Sequence, residues 1–368
     1  MFAWFERLVD PYPDTAPVPP PTGLRPFLLA ASEGTRKYIG LMTLLTASIG
    51  AFEAVLFAML GSILDWLADV PAAELWAREG GTLMLLAAVL VASIALAALQ
   101  TMFKHQALAG NFPMRLRWNF HRLMLGQSMG FYQDEFAGRI ATKVMQTALA
   151  VRDVWMIVAD ILVYVVIYFV TMAAILGGFD LWMLGPFVLW LGLYVLAMRW
   201  FVPRLAKTSQ DQADARSLMT GRITDAYTNI ATVKLFSHSQ REAGYARGAM
   251  QEFLGTVHRQ MRLVSGFEVV NQALSVLLIA STVGVALALW MRGDVGVGAV
   301  AAASAMALRL NGISHWVMWE MASLFEHIGT VQDGMLTLSR PRSVVDRPGA
   351  VPLKLARDLE ANGVPIIG

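Results

Sequence analysis

The side chains able to do chemistry in this chain are few, and most stand in apolar surroundings. Glu53, Asp160, Glu268, Asn271, Gln272, Arg309, Asn311, His315, Trp319 and Glu320 interrupt stretches made largely of Ala, Val, Leu, Ile, Met and Phe. Ionisable groups in such places are costly unless they face a pathway, water or one another. Two chemistries fit them: contact with a ligand, or pairing between helices, for instance of Arg309 with a carboxylate. The residues leave both open. Catalysis has less to build on, because no nucleophile, base and orienter can be grouped. A compact metal site is not visible either. His105, His121, His238, His258, His315 and His327 never fall three or four residues from another His, and Cys is absent, which also removes disulfides and leaves the redox compartment undetermined.

The elements that must position these groups follow from composition. Apolar residues make up 56% of the 368 and charged residues 15%, which is too apolar for a soluble domain of this length. The solvent is largely lipid. A net charge of +2 gives no argument for nucleic acid as a partner. Six apolar segments, at about 38 to 66, 81 to 103, 154 to 177, 180 to 202, 264 to 291 and 296 to 322, each approach the ~20 residues that a bilayer core requires. The sixth carries Arg309, Asn311, His315 and Glu320, so one of its sides must meet protein or water. Positions 312, 315, 316, 319 and 320 share a helix face.

Lys and Arg in the connections set the orientation, since basic residues near span ends stay on the cytoplasmic side. Arg36 and Lys37 place the N-terminus inside. The first connection has Asp69, Glu74 and Glu79 against Arg78 and belongs outside. Lys104, Arg115, Arg117, Arg122, Arg139, Lys143 and Arg152 bring the next one inside. GGFD and MRGDVG are short outer turns, and the polar stretch from Arg199 to Arg262 is again inside, as is the C-terminus. The two inner connections, of ~50 and ~60 residues, are too long to be structureless in a compact protein and are expected to be helical hairpins. In the second, Leu218, Ile223, Ala226, Ile230, Val233 and Phe236 return at helical steps. Two arms of about 25 residues would project on the order of 35 to 40 Å past the bilayer. The first hairpin bends through SMGFYQDEFA, where Phe131, Tyr132 and Phe136 form an aromatic cluster that nothing in the hairpin is expected to bury.

Ahead of the spans, FAWFERLV is amphipathic and is followed by DPYPDTAPVPPPTGLRP, whose prolines favour an extended chain. Glu6 and Asp10 interrupt any signal-peptide core. Phe2, Trp4, Phe5 and Leu8 suit either a membrane-surface piece or a partly ordered tail.

The hairpin tips carry a family resemblance. Phe131 and Tyr132, then Gly138, Arg139 and Lys143, are similar to the first coupling region of ABC exporters, and DAYTNIATVKLFSHSQREAGYARG resembles the second, through Asn229, Ile230, Val233, Lys234, Phe236 and Glu242. Asp225 stands where the family usually has Glu, and Gln146 and Thr147 stand near a usual Asp, with Asp153 coming later. The resemblance implies an all-α membrane protein with six long transmembrane helices of the ABC exporter type, two cytoplasmic helical extensions and a domain-swapped dimer. It divides the chain into an N-terminal surface segment and Pro-rich linker (1–35), the transmembrane domain (36–340), and a linker with an atypical tail (341–368).

Partners implied by the resemblance are a second copy or a related half-transporter, membrane lipid and an ABC ATPase domain carrying ATP and Mg; the location implied is the bacterial inner (plasma) membrane with both termini cytoplasmic. Phe131, Tyr132 and Gln133 at one tip and Ile230, Val233, Lys234 and Phe236 at the other become coupling contacts, with a tip packed on the chain's own helices as the alternative. Glu53, Asn271, His315, Trp316, Trp319 and Glu320 become candidate contacts in the substrate cavity. No G-x-x-x-x-G-K-[ST] run occurs, so the nucleotide chemistry is not in these residues. LKLARDLEANGVPIIG reads as a helix, a Gly break and a strand; it resembles a short stretch of the carbamoyl-phosphate synthase large chain rather than the start of an ABC ATPase, which fits a truncated or misjoined product as well as a real ending. A polytopic receptor or channel with a dimeric cytoplasmic stalk is the rival reading. It predicts sustained heptads, which Gly221, Gly244, Gly248 and QDQADAR interrupt.

Overall fold

A computed structural model describes residues 2–344 apart from 72, 136, 237, 238 and 343. Phe136 of the aromatic cluster, His238 and the helix and strand expected in the tail lie outside the described residues.

The chain is helical almost throughout. A short α1 (Phe2–Glu6) and α2 (Leu24–Ala31) precede α3 (Arg36–Asp69) and α4 (Leu75–Thr101). The path widens into a π-helical segment, Met102–Ala109, before α5 (Asn111–Leu125), the tip helix α6 (Met129–Asp134) and the returning α7 (Ala137–Met156). A second π-helical segment, Ile157–Leu162, leads into α8 (Val163–Phe179). Then come α9 (Leu184–Thr228), α10 (Ile230–Leu235), α11 (Ser239–Arg292) and α12 (Val297–Leu338). Six of the helical runs are long and apolar enough to cross a membrane. All six expected spans fall on them, and the polar connections continue the same helices instead of forming loops. Gly221 lies within α9, and Gly244 and Gly248 within α11, without breaking either.

The short turn between α11 and α12 is closed locally. Gly293, at φ +83°, ends α11 in the left-handed conformation that glycine adopts without strain, and the Asp294 N–H reaches back to the Leu289 carbonyl (3.1 Å). Near the C-terminal end of α3, Asp65 accepts from the Gly298 N–H (2.7 Å) and so caps α12 from a neighbouring helix. Small residues let these two helices touch: a Cβ on Gly61 would lie 2.7 Å from the Gly298 carbonyl oxygen and 3.0 Å from Ala302 Cβ.

Two cores result. One gathers the first hairpin and the N-terminal residues, with Phe5, Phe27, Phe112, Leu116, Val151 and Val331. The other joins α8, α9, α11 and α12 through Tyr168, Trp190, Phe267, Met306 and Leu310. In the N-terminal segment Phe2 and Trp4 are exposed, while Phe5, expected beside them, is covered by the chain's own helices. Phe5 and Val9 are buried against protein, Phe5 edge-on to Phe103 (5.2 Å), and the Pro-rich run is strapped along α5. Asn111, Arg115, Trp118 and Arg122 donate to the carbonyls of Glu6 (2.6 Å), Asp10 (2.9 Å), Pro13 (3.3 Å) and again Pro13 (2.7 Å). Their 4, 3, 4 spacing sets them on one helix face. Extended backbone without amide hydrogens at its prolines has only carbonyls to offer, and this face supplies the donors.

Candidate functional site

Helices α3, α4, α8 and α12, with both π-helical segments, enclose a cavity of about 460 Å³ whose wall includes Thr46, Glu53, Gln100, Lys104, Asp160, Tyr164, Arg309 and Trp316. Its polar groups form two clusters. In the first, Asp160 sits in one π-helical segment and Lys104 in the other, joined as an ion pair at 2.6 Å. Thr46 Oγ1 (2.5 Å) and Gln100 Nε2 (3.0 Å) also donate to Asp160 Oδ1, so spans one, two and three meet at one carboxylate. In the second, Arg309 pairs with Glu53, whose other oxygen accepts from the Tyr164 hydroxyl, and the Arg309 guanidinium donates to that same hydroxyl (3.4 Å). Trp316 packs edge-on to Tyr164 at 6.3 Å between ring centres. A π turn rotates the side chains after it relative to a regular helix, and such turns concentrate at functional positions.

The interhelical pairing foreseen for Arg309 is present, with Glu53 as its carboxylate. Of the residues expected in the cavity, the structure brings together Glu53 and Trp316 only. His315 instead faces a shallow groove with Glu268 and Gln272, between α11 and α12. Asn271 is fully buried on α11, and neither of its amide atoms has a hydrogen-bond partner among the described residues. Trp319 is about half exposed and Glu320 half-buried, both apart from this cavity. Lys104, Gln100, Thr46 and Tyr164 were not foreseen. Lys104 counted only as an inner positive charge, and the others are ordinary span residues until packing sets them around a carboxylate.

The tips differ from each other. Phe131 is 8% exposed, with the Tyr132 ring edge-on at 5.3 Å and the Arg340 guanidinium 5.8 Å from its own ring. Tyr132 is half-buried and donates to the Met124 carbonyl (2.7 Å). The exposed cluster expected there is therefore corrected: α5 and the end of α12 lie close enough to cover these rings, which sequence spacing could not reveal. Gln133 remains exposed. At the second tip α10 has no buried residue. Ile230 is 45% and Phe236 60% exposed, Lys234 is exposed and Val233 half-buried, with Leu235 80% exposed beside them. Arms beneath this tip are held together by Gln260 to Ser209 (2.9 Å) and by Arg222 over the Tyr245 ring (4.4 Å).

Among the described residues no three His, Cys, Asp or Glu side chains converge.

Residues 39–313 match the family described as the ABC transporter transmembrane region. An uncharacterized ABC transporter ATP-binding protein of Haemophilus influenzae is 52% identical over 355 residues, which cover 96% of this chain and 58% of that protein. The chain thus spans less than two thirds of that relative's length.

Proposed function

The chain belongs to the ABC transporter transmembrane family, and from that premise we propose that it is the membrane-spanning part of an ATP-driven exporter, working as a dimer with a second copy or a related half-transporter. In this reading the cavity lined by Glu53, Tyr164, Arg309 and Trp316 belongs to the substrate pathway, and the two tips are where ATPase domains deliver force. The ATPase, on the same polypeptide or a separate one, holds ATP and magnesium. The bilayer is the bacterial inner membrane, with both termini and both hairpins on the cytoplasmic side, as the basic residues of the hairpins indicate.

One observation carries most of this: a six-residue helix at the end of a long two-helix lever leaves Ile230 and Leu235 largely exposed. Large apolar side chains exposed far from lipid suit a groove on a partner. Closure of two ATPase domains would move such a tip, and stiff helices would carry the movement to the membrane as a change between two packed arrangements.

The test is reconstitution of the transporter with its ATPase domain. Replacing Ile230 and Leu235 with Ala is expected to leave folding and basal ATP hydrolysis intact while stimulation of hydrolysis by substrate, and transport, fall together. Unchanged coupling in that variant would refute the role given to the second tip. For the first tip, Gln133 is the side chain to alter, because Phe131 and Tyr132 also hold the hairpin to its own neighbours.

A further inference from the structure

We propose that the cavity between α3, α4, α8 and α12 takes an anionic amphiphile, whose phosphate, carboxylate or sulfate head meets Lys104 and Arg309 while its apolar body lies along Ile49, Ile313 and Trp316. The inference rests on reading this cavity as part of the transport pathway and adds the chemical class of what travels there.

Hydrogen-bond occupancy and exposure together favour one sign of charge. Every carboxylate oxygen in the cavity already accepts from at least one donor. Asp160 Oδ1 accepts from Thr46 and Gln100 and its Oδ2 from Lys104, while the two oxygens of Glu53 take Arg309 and Tyr164. The cations are not saturated. An ammonium carries three donors and a guanidinium five. Lys104 is engaged by Asp160 alone, and only Nη2 of Arg309 is engaged, by Glu53 and Tyr164, so its Nε and Nη1 remain for a ligand. Exposure runs the same way. The Lys104 and Arg309 side chains are 32% and 43% exposed, against 7% for Asp160 and 26% for Glu53.

An arriving anion therefore finds accessible positive charge with unspent donors, whereas a cation must reach past it to carboxylates that are more deeply buried and already paired. Capture of an anion also orphans nothing. If Lys104 turns to the ligand, Asp160 keeps Thr46 and Gln100; if Arg309 turns, Glu53 keeps Tyr164. A buried carboxylate left without any donor would oppose the exchange, and here both have a neutral donor in reserve. The cavity's volume of about 460 Å³ lies in the range of sites for small organic ligands, and its isoleucines and Trp316 give a bare inorganic anion nothing to bury.

The experiment uses this chain in nanodiscs of zwitterionic lipid, with partition into empty discs subtracted. Saturable binding of decyl phosphate is compared with that of decyltrimethylammonium and of decanol, and inorganic phosphate serves as a competitor. Decyl phosphate is expected to bind about tenfold or more tightly than either comparator, and Lys104→Gln or Arg309→Gln to weaken it by about tenfold each. Inorganic phosphate should not displace it at equal concentration. Where a single variant fails to fold, Lys104→Gln with Asp160→Asn, or Arg309→Gln with Glu53→Gln, removes a charge pair without leaving a lone charge. Preference for decyltrimethylammonium, equal binding of decanol, or indifference to the substitutions would each overturn the anionic assignment, and displacement by inorganic phosphate would overturn the amphiphile. Absence of saturable binding by any probe also overturns it. Exporter function is judged separately, by coupling in the variants of the second tip.

Discussion

The contact of helix backbone on helix backbone where Gly61 of α3 meets Gly298 of α12 gives an exacting test of the packing. An added methyl on Gly61 would sit 2.7 Å from the Gly298 carbonyl oxygen, and one on Gly298 would fall onto the Gly61 carbonyl oxygen, closer still. Neither obstacle can rotate away, because each belongs to a helix backbone. Relieving the Gly61 contact requires the helices to part by roughly 0.5–1 Å, which forfeits a quarter to a half of the dispersion along the seam. Overpacking of this kind costs about 1–3 kcal/mol, against a gain of up to about 1 kcal/mol from placing Ala in a helix. Gly284 in α11 has nothing within 4 Å of its Cβ position and should show only the gain. The expected order of destabilisation is therefore Gly298→Ala, then Gly61→Ala, with Gly284→Ala neutral or stabilising. Reversible unfolding in mixed micelles, followed by tryptophan fluorescence, measures it. Should Gly298→Ala and Gly61→Ala both match Gly284→Ala, the helices do not touch there and the seam that aligns Glu53 with Arg309 is wrongly described.

Other consequences can be measured on the same material. A double-mutant cycle on Glu53→Gln and Arg309→Gln should return a coupling of about 1 kcal/mol, modest because both side chains are partly exposed, and a null coupling would mean that the pair does not form. Phe5→Ala should free the N-terminal strap and speed tryptic cleavage at the exposed Arg7, yet lower global stability by less than the ~3–5 kcal/mol of a core Phe, since the strap can detach alone. Arg122→Ala, which removes donors to Pro13 and Thr15, should speed the same cleavage, and equal rates in both variants and the parent would show that the strap is not docked. As the chain has no Cys, Leu235→Cys and Arg78→Cys report orientation directly: an impermeant maleimide applied from the cytoplasmic side should label the first and not the second.

Much of the fold was legible because a bilayer makes a coarse demand, about twenty apolar residues per crossing, that composition alone can answer. The second lever was legible for a related reason, since the polar run from Lys207 to Phe253, with helical spacing and no Pro, has few alternatives to being helical. The site was legible only in part. Arg309 announced a need for a carboxylate, but several were candidates, and only the crossing of α3 and α12 selects Glu53. The widening of two helices at Met102–Ala109 and Ile157–Leu162, which sets Lys104 against Asp160, has no signature in residue types. The strap did leave a trace: Asn111, Arg115, Trp118 and Arg122 put donors on one face of an inner helix, and the proline-rich run ahead of the first span is rich in the acceptors they need. Reading Phe5 toward lipid overlooked that protein surface can cover an apolar side chain equally well.

The unequal burial of the two tips follows from what each hairpin stands beside. The first rises next to the end of α12: Lys143 pairs with Asp333 (2.9 Å) and donates to Thr337 (3.2 Å), Gln127 donates to the Arg340 carbonyl (3.0 Å), and Arg340 lies over Phe131. Its aromatic residues fasten α6 to α5 and to Arg340 just past α12. Among the described residues α10 rests on α9 and α11, and Ile230 and Leu235 stay largely exposed. In the proposed coupling role, a push at α6 would pass into α12 through these bonds. A push at α10 would travel down the arms, and α9 contains Pro203, with one backbone hydrogen bond fewer there. Bending is cheapest at that residue, whereas α11 has no proline along its whole length. The same force applied at the two tips is thus delivered differently: through side-chain contacts to α12 in one case, and through a pair of helices of unequal stiffness in the other.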